Sequence, residues 1–415
     1  DSSGQFTFMP DFMQIGQEIF VNLVGMTSDA FGSSVSISSN GNTLAIGAIH
    51  NDGNGNNSGH VRIYENIGGS WSQIGNHIDG EAANDQSGYS VSLSADGGKV
   101  AIGAPYNDGN GPPDAGHVRV YENIGGAWSQ IGQDIDGEGA SDNSGKSVSL
   151  SADGNTVAIG AHQNDGNSSV SGHVRVYENI GGNWAKIGQD IDGESANDNS
   201  GYSVSLSADG NTVAIGAIDN GGNGTTSGHV RIYENIGSIW SQIGNDIDGE
   251  TAYDQSGYSV SLSADGGTVA IGAQENDGNG SNSGHVRIYN WSGSSWNQLG
   301  QDIDGEAAGD HSGYSISLSS DGNTVVIGSP YSDTYSGHTI IYHWNGSTWN
   351  QLGQDIDDNN SWSGMSVSLN GNGRTVAIST GDDLVRVYNL PTLTNAGGCD
   401  STAILNLTIT NANTS

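Results

Sequence analysis

Three things are scarce in this chain of 415 residues, and each scarcity closes off a class of protein. There is one cysteine, Cys399, so no disulfide can form within a chain; a free thiol or a bridge between two chains remains. Basic residues number 10 against 46 acidic ones, a net charge of −36. Phosphate binding needs a basic surface, so nucleic acid is excluded as a partner. The acidity suits solubility, divalent cations or a saline environment. No apolar run approaches the length of a membrane span, and the N-terminus lacks the basic stretch of a secretory leader. No membrane span is therefore expected, and any leader is expected to have been removed.

Glycine is abundant instead, with 67 residues, but it follows no G-x-y period, so tight turns rather than a collagen helix account for it. The dominant feature is a repeat. A V-S-[IL]-S element begins at Val35, Val91, Val148, Val204, Val260, Ile316 and Val367, at intervals of 56, 57, 56, 56, 56 and 51 residues. Within one copy four strand-like runs can be read: S-V-S-L-S, T-V-A-I-G-A, G-H-V-R-V-Y and W-x-x-I-G-x-x-I. Each is bounded by Gly, Asn or Asp, as strands are. Four strands in each of seven copies predict an all-β fold, a seven-bladed β-propeller with four-stranded blades.

The strand sequences suit such a ring. Tyr89, Val91 and Leu93 share one parity and Ser90, Ser92 and Ser94 the other, so small Ser lets a neighbouring blade approach the crowded inner strand. The A-D-G-N or A-D-G-G turn between strands one and two predicts a tight hairpin with positive φ. That turn and E-N-I-G-G should share one plain face. The long N-D-G-N-G and D-G-E-x-A-x-D loops should share the other.

The two chain ends complement each other. The run FMQIGQEI (12–19) aligns with the fourth strands that start at Trp71, Trp128, Trp184, Trp240, Trp296 and Trp349, yet it precedes the first blade. The seventh copy, through Leu384–Tyr388, lacks a fourth strand. The N-terminal run is therefore expected to close the ring and remove its open edges. Three regions result: an N-terminal arm at 1–11, the propeller at 12–390, and a linker with a C-terminal strand at 391–415. In that tail Ala403, Leu405, Leu407 and Ile409 alternate with polar residues. A lone strand is not stable in water. The tail is thus expected to lie on the ring's surface, to be disordered or to add to another subunit's sheet; the third is favoured, with the Phe6–Met9 arm as partner and Cys399 as a candidate intermolecular disulfide.

The stretch G-x-S-V-S…V-A-I-G-A-P-x-N-D-G-N-G…G-H-V-R-V-Y resembles the FG-GAP repeat of integrin α-subunit propellers and their microbial relatives. Phe31-Gly32 supplies the FG, and Gly103-Ala104-Pro105 the GAP. The resemblance implies the same propeller fold and an extracellular setting. The family's D-x-D-x-D-G calcium loop is replaced here by short turns such as Asp153-Gly154-Asn155-Thr156, so that site is not carried over. The tail string G-C-D-S-T-A-x-L-N-L-T-I resembles the start of repeats in large bacterial surface adhesins, which implies a further domain beyond it.

Chemistry is most visible in the links between blades. They present Asp79, Glu81 and Asp85; Asp136, Glu138 and Asp142; Asp192, Glu194 and Asp198; Asp248, Glu250 and Asp254; and Asp304, Glu306 and Asp310. Three carboxylates within seven residues could supply oxygens to Ca²⁺, although the spacing is not that of an EF-hand. The plainer alternative is acids that are solvated, cap backbone N–H groups, or pair with a neighbour's Arg. A Gly-His pair recurs at His60, His117, His173, His229, His285 and His338, followed two residues later in five copies by Arg62, Arg119, Arg175, Arg231 and Arg287. One histidine per blade reads as structural rather than catalytic, and the aromatic starts of strand four read as packing between blades. Nine N-x-[ST] sequons are candidate glycosylation sites, at Asn56, Asn167, Asn223, Asn279, Asn290, Asn345, Asn359, Asn406 and Asn413. An enzyme needs one constellation that the other blades lack. Near-uniform blades argue against one, with singular residues such as His50, Lys99 and His311 the exceptions to consider.

The expectation is a secreted, non-enzymatic structural or adhesive propeller, a self-associating subunit of a cell-surface appendage, filament or matrix. A calcium-assisted, integrin-like module for glycan or a cell-surface protein is the alternative, and a polysaccharide-active enzyme is weaker.

Overall fold

The computed structural model of the protein describes residues 12–20, 29–109, 112–357 and 362–390. Within them the chain forms seven antiparallel sheets arranged as blades around an axis. In blade one, Phe31–Ile37 is innermost, followed outward by Thr43–Ala48, His60–Ile67 and Ser70–Gln73. The other copies follow the same order. The N-terminal arm, the C-terminal tail, Cys399, and sequons Asn359, Asn406 and Asn413 lie outside the described residues.

The ring closes as the sequence predicts. Met13 and Gln14 pair with Asn389 and Tyr388, and Ile19 and Phe20 pair with Val385 and Leu384. The fourth strand differs from expectation, because it is broken. In blade one, Ser70–Gln73 and Ile78–Asp79 pair separately with the two ends of His60–Ile67. The break falls at Gly75, whose φ is +66°, and a Cβ there would sit 2.6 Å from the Gly126 carbonyl of the next blade. The strand must bend so that the neighbouring turn can approach.

The core lies between blades rather than within them. Val35, Ile37, Leu44 and Ile46 of blade one pack against Ala377, Val385 and Val387 of blade seven and the closing Ile19. Six similar clusters fill the other interfaces.

Serine has a second role besides being small. Its hydroxyl accepts the N–H of the next blade's inner strand: Leu93 to Ser36, Leu150 to Ser92, Leu206 to Ser149, Leu262 to Ser205, Leu318 to Ser261, Leu369 to Ser317, and Ile37 to Ser368, at 2.9–3.0 Å. These bonds form one complete circuit of the ring. At the outer edge, the indoles of Trp71, Trp128, Trp184, Trp240, Trp296 and Trp349 each donate to a carbonyl of the preceding blade's outer segment. The aromatic starts of strand four therefore do pack between blades.

In the turns between strands one and two, positive φ falls on the glycine alone. Gly97 has φ +75°, while Asp96 accepts hydrogen bonds from Ser94 and the Gly98 N–H. The long loops meet on the opposite face, where Gly59 bridges Ser87 and Gly116 bridges Ser144.

Candidate functional site

The link carboxylates share the long-loop face, but each triplet is divided among different tasks. The last acid is buried as a cap. Asp85 accepts the N–H groups of Glu81 and Ala82 and the amide of Asn107. Asp142, Asp198, Asp254 and Asp310 cap their own links in the same way. The first acid contributes its backbone: the carbonyls of Asp79, Asp136, Asp192 and Asp248 accept from Arg119, Arg175, Arg231 and Arg287 of the following blade, at 2.6–2.8 Å. Burial raises the carboxyls of Asp136, Asp248 and Asp304 above their ordinary range.

The middle glutamate joins residues that are distant in sequence. Glu81 meets His117 and Asp134 of blade two, each offering one ligand atom within 4.8 Å of the others. The same cluster recurs as Glu138–His173–Asp190, Glu194–His229–Asp246, Glu250–His285–Asp302 and Glu306–His338–Asp355. In four of them an arginine stands beside the glutamate, 3.0–3.6 Å away. In blade six Ile340 occupies the arginine's position. Each histidine is nearly enclosed. Burial, helped by the adjacent arginine, holds His117, His229 and His285 down to about 4, so these imidazoles are neutral at physiological pH. The same burial raises Glu81, Glu194 and Glu250 against the pull of their arginines.

The clusters can hold a divalent ion. His117 Nδ1 and His285 Nδ1 are buried without a hydrogen-bond partner and face a glutamate oxygen 3.8 and 3.9 Å away. The carboxylates are the hard donors that calcium takes, whereas an imidazole nitrogen is a ligand of borderline metals. The cleft around Glu194, Asp198, Asp219, Asp246 and Asp248 has a volume of about 880 Å³.

A second constellation lies at the inner strands. The residue before each S-V-S element is Tyr89, Lys146, Tyr202, Tyr258 and Tyr314 in blades two to six. Successive rings of Tyr202, Tyr258 and Tyr314 stand 5.1 Å apart. Lys146 Nζ lies 4.5 Å from the ring centroids of both Tyr89 and Tyr202 and donates to the Tyr89 hydroxyl. Burial lowers this amine and raises Tyr202. Lys146 was not among the singular residues picked out by sequence; a lone Lys in a column of Tyr was the available signal. Of those that were, Lys99 ties the Asp153–Asn155 turn of the next blade, and His311 faces Glu275.

The sequons are exposed where described, but the amides of Asn167, Asn223 and Asn279 donate to the carbonyls of Gly193, Gly249 and Gly305. A glycan on any of these would compete with that bond. The Asn290 amide donates across its blade to the Gly267 carbonyl, Asn345 bonds within its own turn to Thr348, and Asn56 is exposed at its loop.

A sequence model of the FG-GAP repeat matches the chain at residues 20–64, 78–121 and 247–289. The second match runs from a link through the first three strands of the following blade. No curated protein matches the chain. Among the described residues no helix is long and apolar enough to cross a membrane.

Proposed function

Starting from a chain that is a seven-bladed β-propeller of FG-GAP repeats, we propose that it serves outside the cell as a non-catalytic structural or adhesive module. In this reading it is a repeating subunit of a surface appendage, filament or matrix. The observation that supports this most is the sameness of the blades. The Ser circuit, the Trp anchors, the Arg clamps and the Asp caps place the repeated polar side chains in structural roles. A uniform ring makes a rigid spacer. The arm and the tail are the proposed means of self-association. Light scattering on the purified full chain over rising concentration is the test. Growth into defined assemblies supports the reading, and a monomer at every concentration contradicts it.

The five Glu–His–Asp clusters favour a second reading, calcium-assisted binding of a glycan or cell-surface protein on the long-loop face. Calcium bound there would stabilise the native ring by mass action. Chelator should then lower the melting temperature and calcium restore it, while identical curves would remove this reading.

A further inference from the structure

The clusters at the blade junctions contain an imidazole nitrogen that the fold leaves unsatisfied. His117 and His285 are each 1% exposed, and neither Nδ1 has a hydrogen-bond partner. A buried polar atom in that state is uncommon in a native fold. Both nitrogens face a carboxylate oxygen, Glu81 Oε2 at 3.8 Å and Glu250 Oε2 at 3.9 Å. His229 Nδ1 lies 3.9 Å from the other acid of its cluster, at Asp246 Oδ2. In three blades the same nitrogen is thus aimed into the same cluster.

Neighbouring polar groups are already committed elsewhere. The arginine stands on the far oxygen of the glutamate: Arg119 Nη1 is 3.6 Å from Glu81 Oε1, and Arg287 Nη1 is 3.6 Å from Glu250 Oε1. Asp254, the last acid of its link, accepts the N–H groups of Glu250 and Thr251 through Oδ2. Its Oδ1 accepts the Thr251 hydroxyl. Each cluster therefore offers one nitrogen and two carboxylates, with the ligand atoms within 4.8 Å of one another. The histidine is enclosed, while the two acids reach solvent.

We propose that these clusters bind a borderline divalent metal of the zinc type through His Nδ1, the glutamate and the aspartate. The site is that of the second reading above and rests on it; the metal does not. Zinc accepts imidazole and carboxylate together, and an open zinc site keeps one position for water or a ligand. Ligand atoms around such an ion lie about 3.3–3.5 Å apart, so edges of 3.8–3.9 Å need only a small contraction. Calcium takes roughly six to eight oxygens, and the capping aspartate has none to spare. Because the arginine holds the far oxygen, metal and guanidinium need not compete for one atom. In the Glu306–His338–Asp355 cluster Ile340 replaces that arginine, so its positive charge is missing and the ion should be held most tightly.

Equilibrium dialysis of the full chain against zinc chloride, calcium chloride or both, at neutral pH and moderate salt, followed by elemental analysis, tests this. Zinc should be retained at up to five equivalents, one for each cluster, and should survive a large excess of calcium. His285→Gln and Glu250→Gln should each lose one equivalent. The glutamate is 42% exposed, so its variant reads the site even if the first disturbs folding. Glu65→Gln, at an exposed acid outside the clusters, should keep all of the parent's zinc. The inference is overturned if zinc is not retained, if calcium displaces it readily, if a folded cluster variant holds as much zinc as the parent, or if Glu65→Gln loses as much as they do. Calcium held in place of zinc would overturn it and leave the calcium-assisted reading intact. Zinc held without any binding of glycan or cell-surface protein would remove that reading and uphold the metal site.

Discussion

Arg386 Nη2 lies 2.8 Å from Glu18 Oε1, joining residues 368 positions apart at the seam of the ring. The carboxylate end is exposed, and such pairs contribute little in water. Beside it, Ile19 is buried against blade seven. Glu18→Gln should therefore cost less than about 1 kcal/mol, whereas Ile19→Ala should cost about 2–4 kcal/mol. Chemical denaturation of both variants checks the order; a reversed ranking would mean that charge, rather than burial, holds the seam.

Ser205→Ala deprives the Leu262 N–H of its partner in the circuit of inter-blade bonds. A buried donor left unsatisfied costs about 1–3 kcal/mol. Denaturant midpoints should fall accordingly, while Ser241→Ala, on an outer strand and without a side-chain bond of this kind, serves as the control. Equal midpoints would reduce the inner serines to spacers.

Lys146 sits where four other blades place tyrosine, and burial lowers its amine below 10.5. Between its folded and unfolded values the unfolded chain holds a proton that the folded chain has shed. Stability should therefore rise as pH climbs through that window. Lys146→Tyr should raise the melting temperature at neutral pH, with the advantage shrinking toward pH 10.5. A variant that melts lower throughout would show that contacts with Tyr89 and Tyr202 outweigh desolvation.

His285 is held to about 4 from an ordinary 6.5. Below 6.5 the unfolded state takes up a proton that the folded state refuses, so stability falls as pH drops from 6.5 toward 4. For this residue the loss is about 3 kcal/mol. Glu250, raised by burial, works in the opposite sense. The clean readout is the difference between parent and His285→Gln: the variant's stability should depend less steeply on pH between 4 and 6.5. Parallel profiles would mean that the imidazole titrates freely in the fold.

Much of this was legible in the sequence because the fold repeats. Seven phased copies set the blade number, and the surplus run at 12–19 matched the strand missing after Tyr388. The break in the fourth strand was not legible, since Gly75 bends to admit a turn of the next blade that only the assembled ring brings near. The link acids were legible as acids but not as partners. Glu81 meets His117 and Asp134 across a blade boundary, and the neighbouring Asp85 turns inward as a cap.

The account rests on the chain being one closed ring rather than a row of independent blades. Calorimetry of residues 21–415 against the full chain tests this most directly. The full chain should unfold in one cooperative transition. The truncated chain, stripped of the Met13–Gln14 and Ile19–Phe20 pairings, should melt lower, lose that cooperativity and aggregate through the exposed edge of Leu384–Asn389. A truncated chain that melts as sharply and as high as the full one would contradict closure by the N-terminal strand.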